Sequence, residues 1–303
     1  MNQSKKALYG LVGFPIKHSF SPAMHNAAFA ACNISAEYKL FEVESPELEN
    51  FLLKRNDIAG FNITIPHKVK ACQILEKNFP FNKNSKATLD DLYYVKLSGA
   101  VNTVKRKGEG ADYYNTDARG FLRSLKEDLQ FEPEAKTVLL IGCGGVGRAV
   151  LAALSWKNGG AEKIYIYDLN QKAIDSLQRH FLTLPQEWRA IADKKIEVIS
   201  QDKIAEKIKE SQLLVNATPL GMKEGDPSPI DKNMLHKDLF VYDVVYNRNT
   251  ELISDAKARC SAVSGGLGML LYQGVAAWEL WTKKTAPVEV MRKTLNEEIK
   301  KKC

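Results

Sequence analysis

The sequence predicts an α/β protein of two domains, each built around a mostly parallel sheet. Short apolar segments alternate with helical patterns along most of the 303 residues, which is typical of βαβ units. A strand, a glycine-rich turn and a helix follow one another from Thr137, so the long stretch before Thr137 requires a sheet of its own. The length also suits two domains of ordinary size.

Composition narrows the class of protein. A hydrophobic fraction of 45% and a charged fraction of 26% are ordinary for a globular chain. No apolar run has the length of a membrane span, and the first residues lack the apolar core of a signal peptide, so we expect a cytoplasmic protein without a membrane partner. The five cysteines are scattered without CxxC spacing, which favours free thiols and argues against zinc.

The charges and histidines argue against two further kinds of site. The net charge is +7, but the lysines are dispersed, and the one dense run is 300–302. We therefore expect no nucleic-acid partner, and the excess charge favours small anionic ligands. The five histidines form no i,i+4 pair, so no metal site is expected.

The first domain is predicted from its strands and from two helix starts. A helix should start after Ser21, with Ser21 as its cap and Pro22 at its first position. Pro66 should open another helix that runs to about Lys77. The strands are predicted at 9–13, 38–43, 60–65 and 100–104, with a last one around Tyr113 and Tyr114.

The second domain is predicted to be doubly wound and Rossmann-like. A helix over 117–129 leads into it, and a glycine break at Gly265 ends it. Its strands are predicted at 137–141, 163–168, 196–199, 213–216 and 239–243. Two further helices should pack back onto the first domain, at 269–282 and 287–301. We expect the first domain at 1–117 and 264–303, the second at 118–263, and the active site in the cleft between them.

The glycine turn carries the clearest ligand signal. It reads Gly142-Cys143-Gly144-Gly145-Val146-Gly147, and Asp168 ends the next strand. Glycines let the backbone approach a pyrophosphate, the helix N-terminus faces the phosphates, and the acid accepts hydrogen bonds from ribose hydroxyls. The pattern therefore predicts a dinucleotide site, and the alternative is a strand-helix turn without a ligand.

Three segments before the glycine turn contain residues suited to chemistry. Ser19 and Ser21 follow the first strand and could bind a carboxylate, or could cap a turn and a helix. Thr64 shares a strand face with Asn62, since side chains alternate along a strand. Lys68 lies in the first helical turn after Pro66. There the macrodipole disfavours a cation, which suits a proton carrier. The alternative is a surface lysine, as we expect for Lys70.

Each of the other polar segments has two possible roles, one in ligand binding or catalysis and one in the local structure. Asn102 fits a hydroxyl-binding role or a turn, and Asp117 caps a helix or pairs with Lys68. The segment from Asn216 to Thr218 leaves a strand end, where its backbone could contact a nicotinamide or form an ordinary turn. Met269 and Gln273 share a helix face, which could close over a ligand or could be a core methionine and a polar rim residue.

In the order of its motifs, the chain resembles the shikimate dehydrogenase family, including its quinate/shikimate branch. The matching segments cover nearly the full length: 14–22, 62–68, 99–103, 115–117, 216–222, and 266–270 with Gln273. The resemblance implies reversible reduction of 3-dehydroshikimate to shikimate with a nicotinamide cofactor, a step of aromatic amino acid biosynthesis.

The resemblance also implies a role for each matching residue. Lys68 and Asp117 would be the catalytic pair, and Ser19 and Ser21 would hold the substrate carboxylate. The residues implied at the ring hydroxyls are Thr64, Asn102, Asp117 and Gln273, with Tyr246 near the substrate. The residues implied at the cofactor are Gly142, Gly144, Gly145, Val146, Gly147, Asp168, Asn216, Thr218, Gly266 and Met269.

One departure from the family concerns the cofactor. NADP-specific members usually carry an Asn-Arg-Thr type segment after the second strand, whereas this chain has Asp168-Leu169-Asn170. An acid repels a 2′-phosphate and accepts a hydrogen bond from a free 2′-hydroxyl, so NAD is expected, with NADP possible. NAD use is a habit of the quinate/shikimate branch, so quinate remains an alternative substrate. A non-catalytic, cofactor-sensing protein of this fold is a further alternative, and a monomer or a homodimer is equally compatible with the sequence.

Overall fold

The computed structural model describes residues 6–81, 88–156 and 159–301. The chain divides into two units, which are described one at a time. The first unit comprises Met1–Thr116 and Leu271–Cys303, and the second comprises Asp117–Leu270. Both are built from strands that alternate with helices, which confirms the α/β class.

The first unit contains a mixed five-stranded sheet in the order β2-β1-β3-β4-β5. Its strands are β1 (Ala7–Gly13), β2 (Ala36–Glu42), β3 (Gly60–Ile63), β4 (Thr103–Lys107) and β5 (Gly110–Tyr114). β1 pairs in parallel with β2 and β3, whereas β4 is antiparallel to β3 and β5. The carboxyl ends of β1, β2 and β3 therefore share one edge of the sheet with the start of β4 and the end of β5.

Helices cover this sheet and supply its core. They are α1 (Ser21–Ala31), α2 (Leu48–Lys54), α3 (Lys68–Asn78) and α4 (Leu89–Ser98), with α12 (Val288–Lys300) near the end of the chain. Phe61 and Ile63 of β3 pack with Leu75 of α3 in an apolar cluster. Because side chains alternate along the strand, Asn62 lies on the opposite face from this cluster.

The second unit contains a parallel six-stranded sheet in the order β11-β10-β9-β6-β7-β8. Its strands are β6 (Thr137–Ile141), β7 (Lys163–Tyr167), β8 (Ile196–Val198), β9 (Leu213–Asn216), β10 (Phe240–Asp243) and β11 (Ala262–Gly265). The strand order reverses beside β6, since β7 follows on one side and β9 on the other. This is the doubly wound arrangement, which places ligands at the carboxyl ends of the strands next to the reversal.

Seven helices within the described residues accompany this sheet or lead out of it. They are α5 (Thr116–Glu127), α6 (Gly145–Leu154), α7 (Gln171–Leu182), α8 (Gln186–Lys195), α9 (Ile204–Glu210), α10 (Glu251–Lys257) and α11 (Leu267–Thr282). The sequence predicted α5 and α11 to within about two residues at each end, as cap signals allow. It missed β11, because the glycine that ends this strand was interpreted as a break.

Three expected absences concern the described residues only. None of the helices described is long and apolar enough to cross a membrane. The described side chains form no cluster of three or more residues that could hold a metal ion. The cysteines described are free thiols, and Cys303 lies outside the described residues.

Candidate active site

Polar residues of the first unit meet at the carboxyl edge of its sheet. The register pairs Asn62 with Thr103, and Thr103 with Tyr114. Asn102 and Thr116, which flank these paired positions in the chain, are therefore brought to the same edge. Sheet register thus gathers residues that are up to 54 positions apart in the sequence, from Asn62 to Thr116.

The Asn102 side chain is buried and held in one orientation. Its Oδ1 accepts a hydrogen bond from the backbone N–H of Thr116 at 2.6 Å, so the oxygen of the amide faces that residue. Its Nδ2 donates to the Thr116 hydroxyl at 3.0 Å and to Oε1 of Gln273 at 3.5 Å. A ligand hydroxyl that replaced the 3.5 Å contact between this pair could accept from Asn102 and donate to Gln273.

The Asn62 side chain is the centre of a buried polar network. Its Nδ2 donates to the backbone carbonyl of Asn102 at 3.3 Å and to the Thr103 hydroxyl at 2.9 Å. Its Oδ1 accepts from the phenol of Tyr38 at 2.8 Å. Burial raises the pKa of Tyr38 well above its ordinary value, and a hydrogen bond from Ser21 partly opposes that shift. The network therefore runs from Ser21 to Gln273 within the first unit.

The structure corrects the prediction that Ser21 caps a helix. The residue before the first turn of α1 is Phe20, and no side chain there makes a capping hydrogen bond. Ser21 is instead the first residue of the helix, where it is buried and its hydroxyl faces Tyr38. The Ser19 hydroxyl accepts a hydrogen bond from the backbone N–H of Ser21 at 3.2 Å, in line with the predicted turn-capping alternative.

Lys68 is the first residue of α3, and only 6% of it is exposed. Lysines are rarely so buried, so the surface alternative does not hold for Lys68, whereas Lys70 is exposed as predicted. The start of the helix is fixed by His67, whose Nε2 donates to the Val43 carbonyl at 2.6 Å, and by Val101, whose N–H donates to the Lys68 carbonyl at 3.0 Å.

The turn before Lys68 is held against the end of β1. The N–H of Thr64 donates to the carbonyl of Val12 at 2.9 Å, which brings the half-buried Thr64 beside Gly13. A Cβ at Gly13 would lie 2.5 Å from Cγ2 of Thr64, closer than such atoms approach. Glycine at this position therefore allows the turn to reach the carboxyl edge of the sheet.

In the second unit, the glycine turn before α6 forms a cradle that is free of side chains at its glycine positions. Gly142 has φ +100°, and a Cβ there would lie 2.8 Å from the backbone of Ala217. A Cβ at Gly147 would collide with the carbonyl oxygen of Gly142, whereas Gly144 has open space beside it. Gly145 begins α6, so free N–H groups of the helix face that space. The turn therefore fits a dinucleotide.

Asp168 follows β7 and lies against this turn. Its Oδ2 accepts from the backbone N–H of Cys143 at 2.7 Å, and its Oδ1 accepts from that of Asn170 at 2.8 Å. Burial and the neighbouring Asp168 raise the pKa of the Cys143 thiol to about 12, so the thiol stays protonated. The next residue, Leu169, is 84% exposed. A carboxylate, with no arginine in the adjacent positions, is thus presented at the end of β7.

Asn216 has its side chain fully occupied inside the second unit. Its Oδ1 accepts from the backbone N–H and the hydroxyl of Thr218, at 3.1 and 2.7 Å. Its Nδ2 donates to Oδ1 of Asp243 at 2.9 Å, and burial raises the pKa of that carboxyl. Asn216 therefore holds the strand exit in shape, and the backbone of Ala217 is what lies next to Gly142.

The remaining predicted residues of the second unit are placed as follows. Gly266 precedes α11, and a Cβ there would collide with the carbonyl oxygen of Val244. Met269 and Asp117 are buried in the first turns of α11 and α5. Burial raises the pKa of Tyr246 above its ordinary value. The roles assigned to these residues remain predictions.

Sequence reasoning missed Tyr38, Thr103 and Thr116 as members of the polar network. Tyr38 lies in a strand that has ordinary strand composition, and no local pattern distinguishes it. A signal did exist for Thr103 and Thr116, since each follows an asparagine within or next to a predicted strand. Pairing the two Asn-Thr dipeptides across β4 and β5 would have placed both hydroxyls beside Asn102.

Two family models match the chain. The model described as shikimate dehydrogenase substrate binding domain matches residues 11–104, and that described as shikimate 5′-dehydrogenase C-terminal domain matches residues 266–295. A curated relative from Desulforamulus reducens, named shikimate dehydrogenase (NADP(+)), is 38% identical to this chain. That match covers 98% of this chain and 97% of the relative.

Two solved structures share the fold over nearly their whole length. Shikimate 5-dehydrogenase from Listeria monocytogenes, in complex with shikimate and NAD, is 30% identical, with 96% of each chain covered and a TM-score of 0.78. Quinate dehydrogenase from Corynebacterium glutamicum, in complex with NAD, is 27% identical. It covers 97% of this chain and 100% of its own, with a TM-score of 0.78.

Proposed function

The chain belongs to the shikimate dehydrogenase family, and we propose that it interconverts shikimate and 3-dehydroshikimate by hydride transfer, with NAD as the preferred cofactor. The observation that carries this proposal is the buried polar network at the carboxyl edge of the first sheet. It offers donors and acceptors in fixed directions, which suits a small ring acid with several hydroxyls.

The side chains have distinct tasks in this proposal. The Ser19 hydroxyl has its oxygen engaged by a backbone N–H, so its proton is available to the substrate carboxylate. Asn102 and Gln273 hold a ring hydroxyl between a donor and an acceptor. The Lys68 ammonium donates its proton to the carbonyl oxygen of 3-dehydroshikimate as charge develops there, with Asp117 as the second member of the catalytic pair. When bound, the nicotinamide supplies the hydride.

Asp168 supports the preference for NAD. Its carboxylate is fixed by two backbone N–H groups beside the glycine turn, where it would meet the ribose of a bound dinucleotide. A 2′-phosphate would bring negative charge to this carboxylate. The relative from Desulforamulus reducens is named for NADP(+), while the Listeria monocytogenes protein was solved with NAD, so the family includes both.

Initial rates with shikimate and each of the two cofactors test the proposal. We expect turnover with both and a larger kcat/KM with NAD, because Asp168 disfavours the 2′-phosphate. A larger kcat/KM with NADP would refute the cofactor preference. Absence of turnover with either cofactor would refute the activity and would favour a non-catalytic, cofactor-sensing role.

The assignment of Lys68 has its own test. Lys68→Ala should lower kcat by about 100- to 10,000-fold, as loss of a positioned acid–base group does. NAD binding, measured by calorimetry, should stay unchanged. Lys70→Ala is the matched control, because this exposed lysine lies two positions further along the same helix. If Lys68→Ala kept near-normal turnover, the lysine would not be the proton donor.

Quinate is the second candidate substrate. The quinate dehydrogenase of Corynebacterium glutamicum supports it, because that protein is similar over its whole length and was solved with NAD. Quinate differs from shikimate at the carbon that bears the carboxylate, so the environment of that carboxylate decides between the two acids. We also infer a cytoplasmic location, since the described cysteines are free thiols, as a reducing compartment favours.

A further inference from the structure

The side chain of Arg148 is buried inside the second unit, which is unusual for an arginine. Only 3% of the residue is exposed, although it follows directly after Gly147, the last glycine of the turn. A guanidinium in a protein keeps its proton, so burial leaves a fixed positive charge and several N–H groups that require acceptors. The positions of these acceptors indicate what the residue does.

Two acceptors of the Arg148 side chain belong to different elements. Its Nε donates to the backbone carbonyl of Cys143 at 3.3 Å, and its Nη2 donates to the Ser176 hydroxyl of α7 at 3.0 Å. Because the guanidinium is a rigid plane, the bond to Ser176 also fixes the direction of the Nε–H. That N–H is thereby aimed at the glycine turn.

The backbone of Arg148 holds the next peptide of the same turn. Its N–H donates to the Gly144 carbonyl at 2.9 Å, so Arg148 binds the carbonyls of both Cys143 and Gly144. The peptide bonds that follow these two carbonyls are trans, and in a trans peptide the C=O and the N–H point in opposite directions. The N–H groups of Gly144 and Gly145 are therefore directed away from Arg148.

The two N–H groups are well placed for an anion. A Cβ at Gly144 would meet no atom within 4 Å, so there is open space beside these peptides. Gly145 is the first residue of α6, and the start of a helix attracts anions through its N–H groups and its dipole. The buried guanidinium adds a full positive charge on the carbonyl side of the same peptides.

Cys143 is held by two charged side chains. Its N–H donates to Asp168 at 2.7 Å, and its carbonyl accepts from Arg148. Burial contributes most to the raised pKa of the Cys143 thiol, with Asp168 acting in the same direction and Arg148 against it. The two side chains bind different atoms of Cys143, so a substitution of Arg148 does not itself remove the bond to Asp168.

We propose that Arg148 is a positioning residue of the cofactor site, which aims the N–H groups of Gly144 and Gly145 at the cofactor pyrophosphate. The inference rests on the proposed function and deepens it. Because Arg148 is buried, it acts through the two peptides and not by contact with the phosphates. Its effect is on phosphate binding, so the hydride-transfer step should be spared.

The test separates the pyrophosphate from the rest of the cofactor. Dissociation constants are measured for ADP-ribose, which carries the pyrophosphate, and by NMR titration for adenosine, which does not. In Arg148→Met we expect the constant for ADP-ribose to rise about tenfold, as loss of one charge-assisted hydrogen bond does, and that for adenosine to change less than about twofold. The KM for NAD should rise about tenfold, while kcat at saturating NAD and the KM for shikimate stay constant.

Three further variants complete the experiment. Arg179→Met is the matched control, because Arg179 is an exposed arginine in the last turn of α7 and should leave every constant unchanged. Arg148→Lys keeps the charge without the planar fork, so its ADP-ribose constant should lie between those of the wild type and Arg148→Met. Ser176→Ala removes the bond that orients the guanidinium, and it should raise only the ADP-ribose constant, by about two- to threefold.

Equal rises for ADP-ribose and adenosine in Arg148→Met would overturn the inference, because they would indicate a general defect of the site. An ADP-ribose constant that stays at the wild-type level would overturn it as well. If Arg148→Met does not fold, Ser176→Ala decides, and an unchanged ADP-ribose constant there would contradict the role of Arg148. A wild type that binds neither ADP-ribose nor NAD would instead refute the proposed function, so the two failures are distinguishable.

Discussion

Replacing the buried His25 with phenylalanine should make the free energy of unfolding depend less on pH below 6.5. His25 is fully buried, and within the described part of the chain neither of its ring nitrogens has a hydrogen-bond partner. Burial lowers the pKa of His25 from 6.5 to about 3, because the charged imidazolium would be desolvated. The folded protein therefore keeps this histidine neutral across the physiological range.

The sign and size of the effect follow from the two pKa values. Below pH 6.5 the unfolded chain binds a proton at His25 that the folded chain does not bind, so the free energy of unfolding falls as the pH falls towards about 3. The slope is about 1.4 kcal/mol per pH unit, which gives a loss of about 2 kcal/mol at about pH 5. Above pH 6.5 the contribution is constant.

Urea unfolding of the wild type and of His25→Phe at about pH 7.5 and about pH 5 measures this effect. The variant keeps a ring that can stack on Tyr38 but has nothing to protonate, so its loss between the two pH values should be about 2 kcal/mol smaller. His18→Gln is the control, because it replaces an exposed histidine of the same unit. Equal losses in the wild type and in His25→Phe would refute the reasoning.

Three further substitutions test separate parts of the two sites. Gly147→Ala should abolish NAD binding in calorimetry, since its Cβ would collide with the Gly142 carbonyl oxygen; retained binding would refute the cradle. Asp168→Asn should raise kcat/KM with NADP relative to NAD by about tenfold or more, because it removes a charge that repels the 2′-phosphate; an unchanged ratio would contradict this role. Thr116→Val removes the hydroxyl that accepts from Asn102, so the KM for shikimate should rise about fivefold while the KM for NAD stays constant; equal rises would indicate a general structural defect.

The geometry of the glycine turn could be predicted from the sequence, because the requirements on its residues are local. Gly142, Gly147 and Asp168 lie within one βαβ unit, and the requirements on them are a left-handed φ, the absence of a Cβ and a carboxylate at a strand end. Such requirements leave a pattern in consecutive residues. Strand and helix positions were predicted for the same reason, since apolar periodicity and caps are also local.

The prediction for Ser21 failed where a long-range contact overrode a local preference. Serine before a proline is a typical helix cap, and nothing in the neighbouring residues contradicts that interpretation. In the fold, Ser21 lies in the first turn of α1 and bonds to Tyr38 of β2, whose phenol in turn donates to Asn62 of β3. The preference of serine for helix starts is worth about 1 kcal/mol, which a buried hydrogen bond can match.

The polar network has the same long-range origin, and this explains why it specifies direction as well as position. Its members meet only in the folded chain, through sheet register and through the packing of α1 and α11, and the sequence around Asn62 alone allows its amide to lie either way round. The Asn102 carbonyl fixes that orientation, since it can only accept. The Tyr38 proton follows from this constraint, since it is directed at Asn62 Oδ1, which can only accept. The orientation of these hydrogen bonds is therefore a property of the folded sheet.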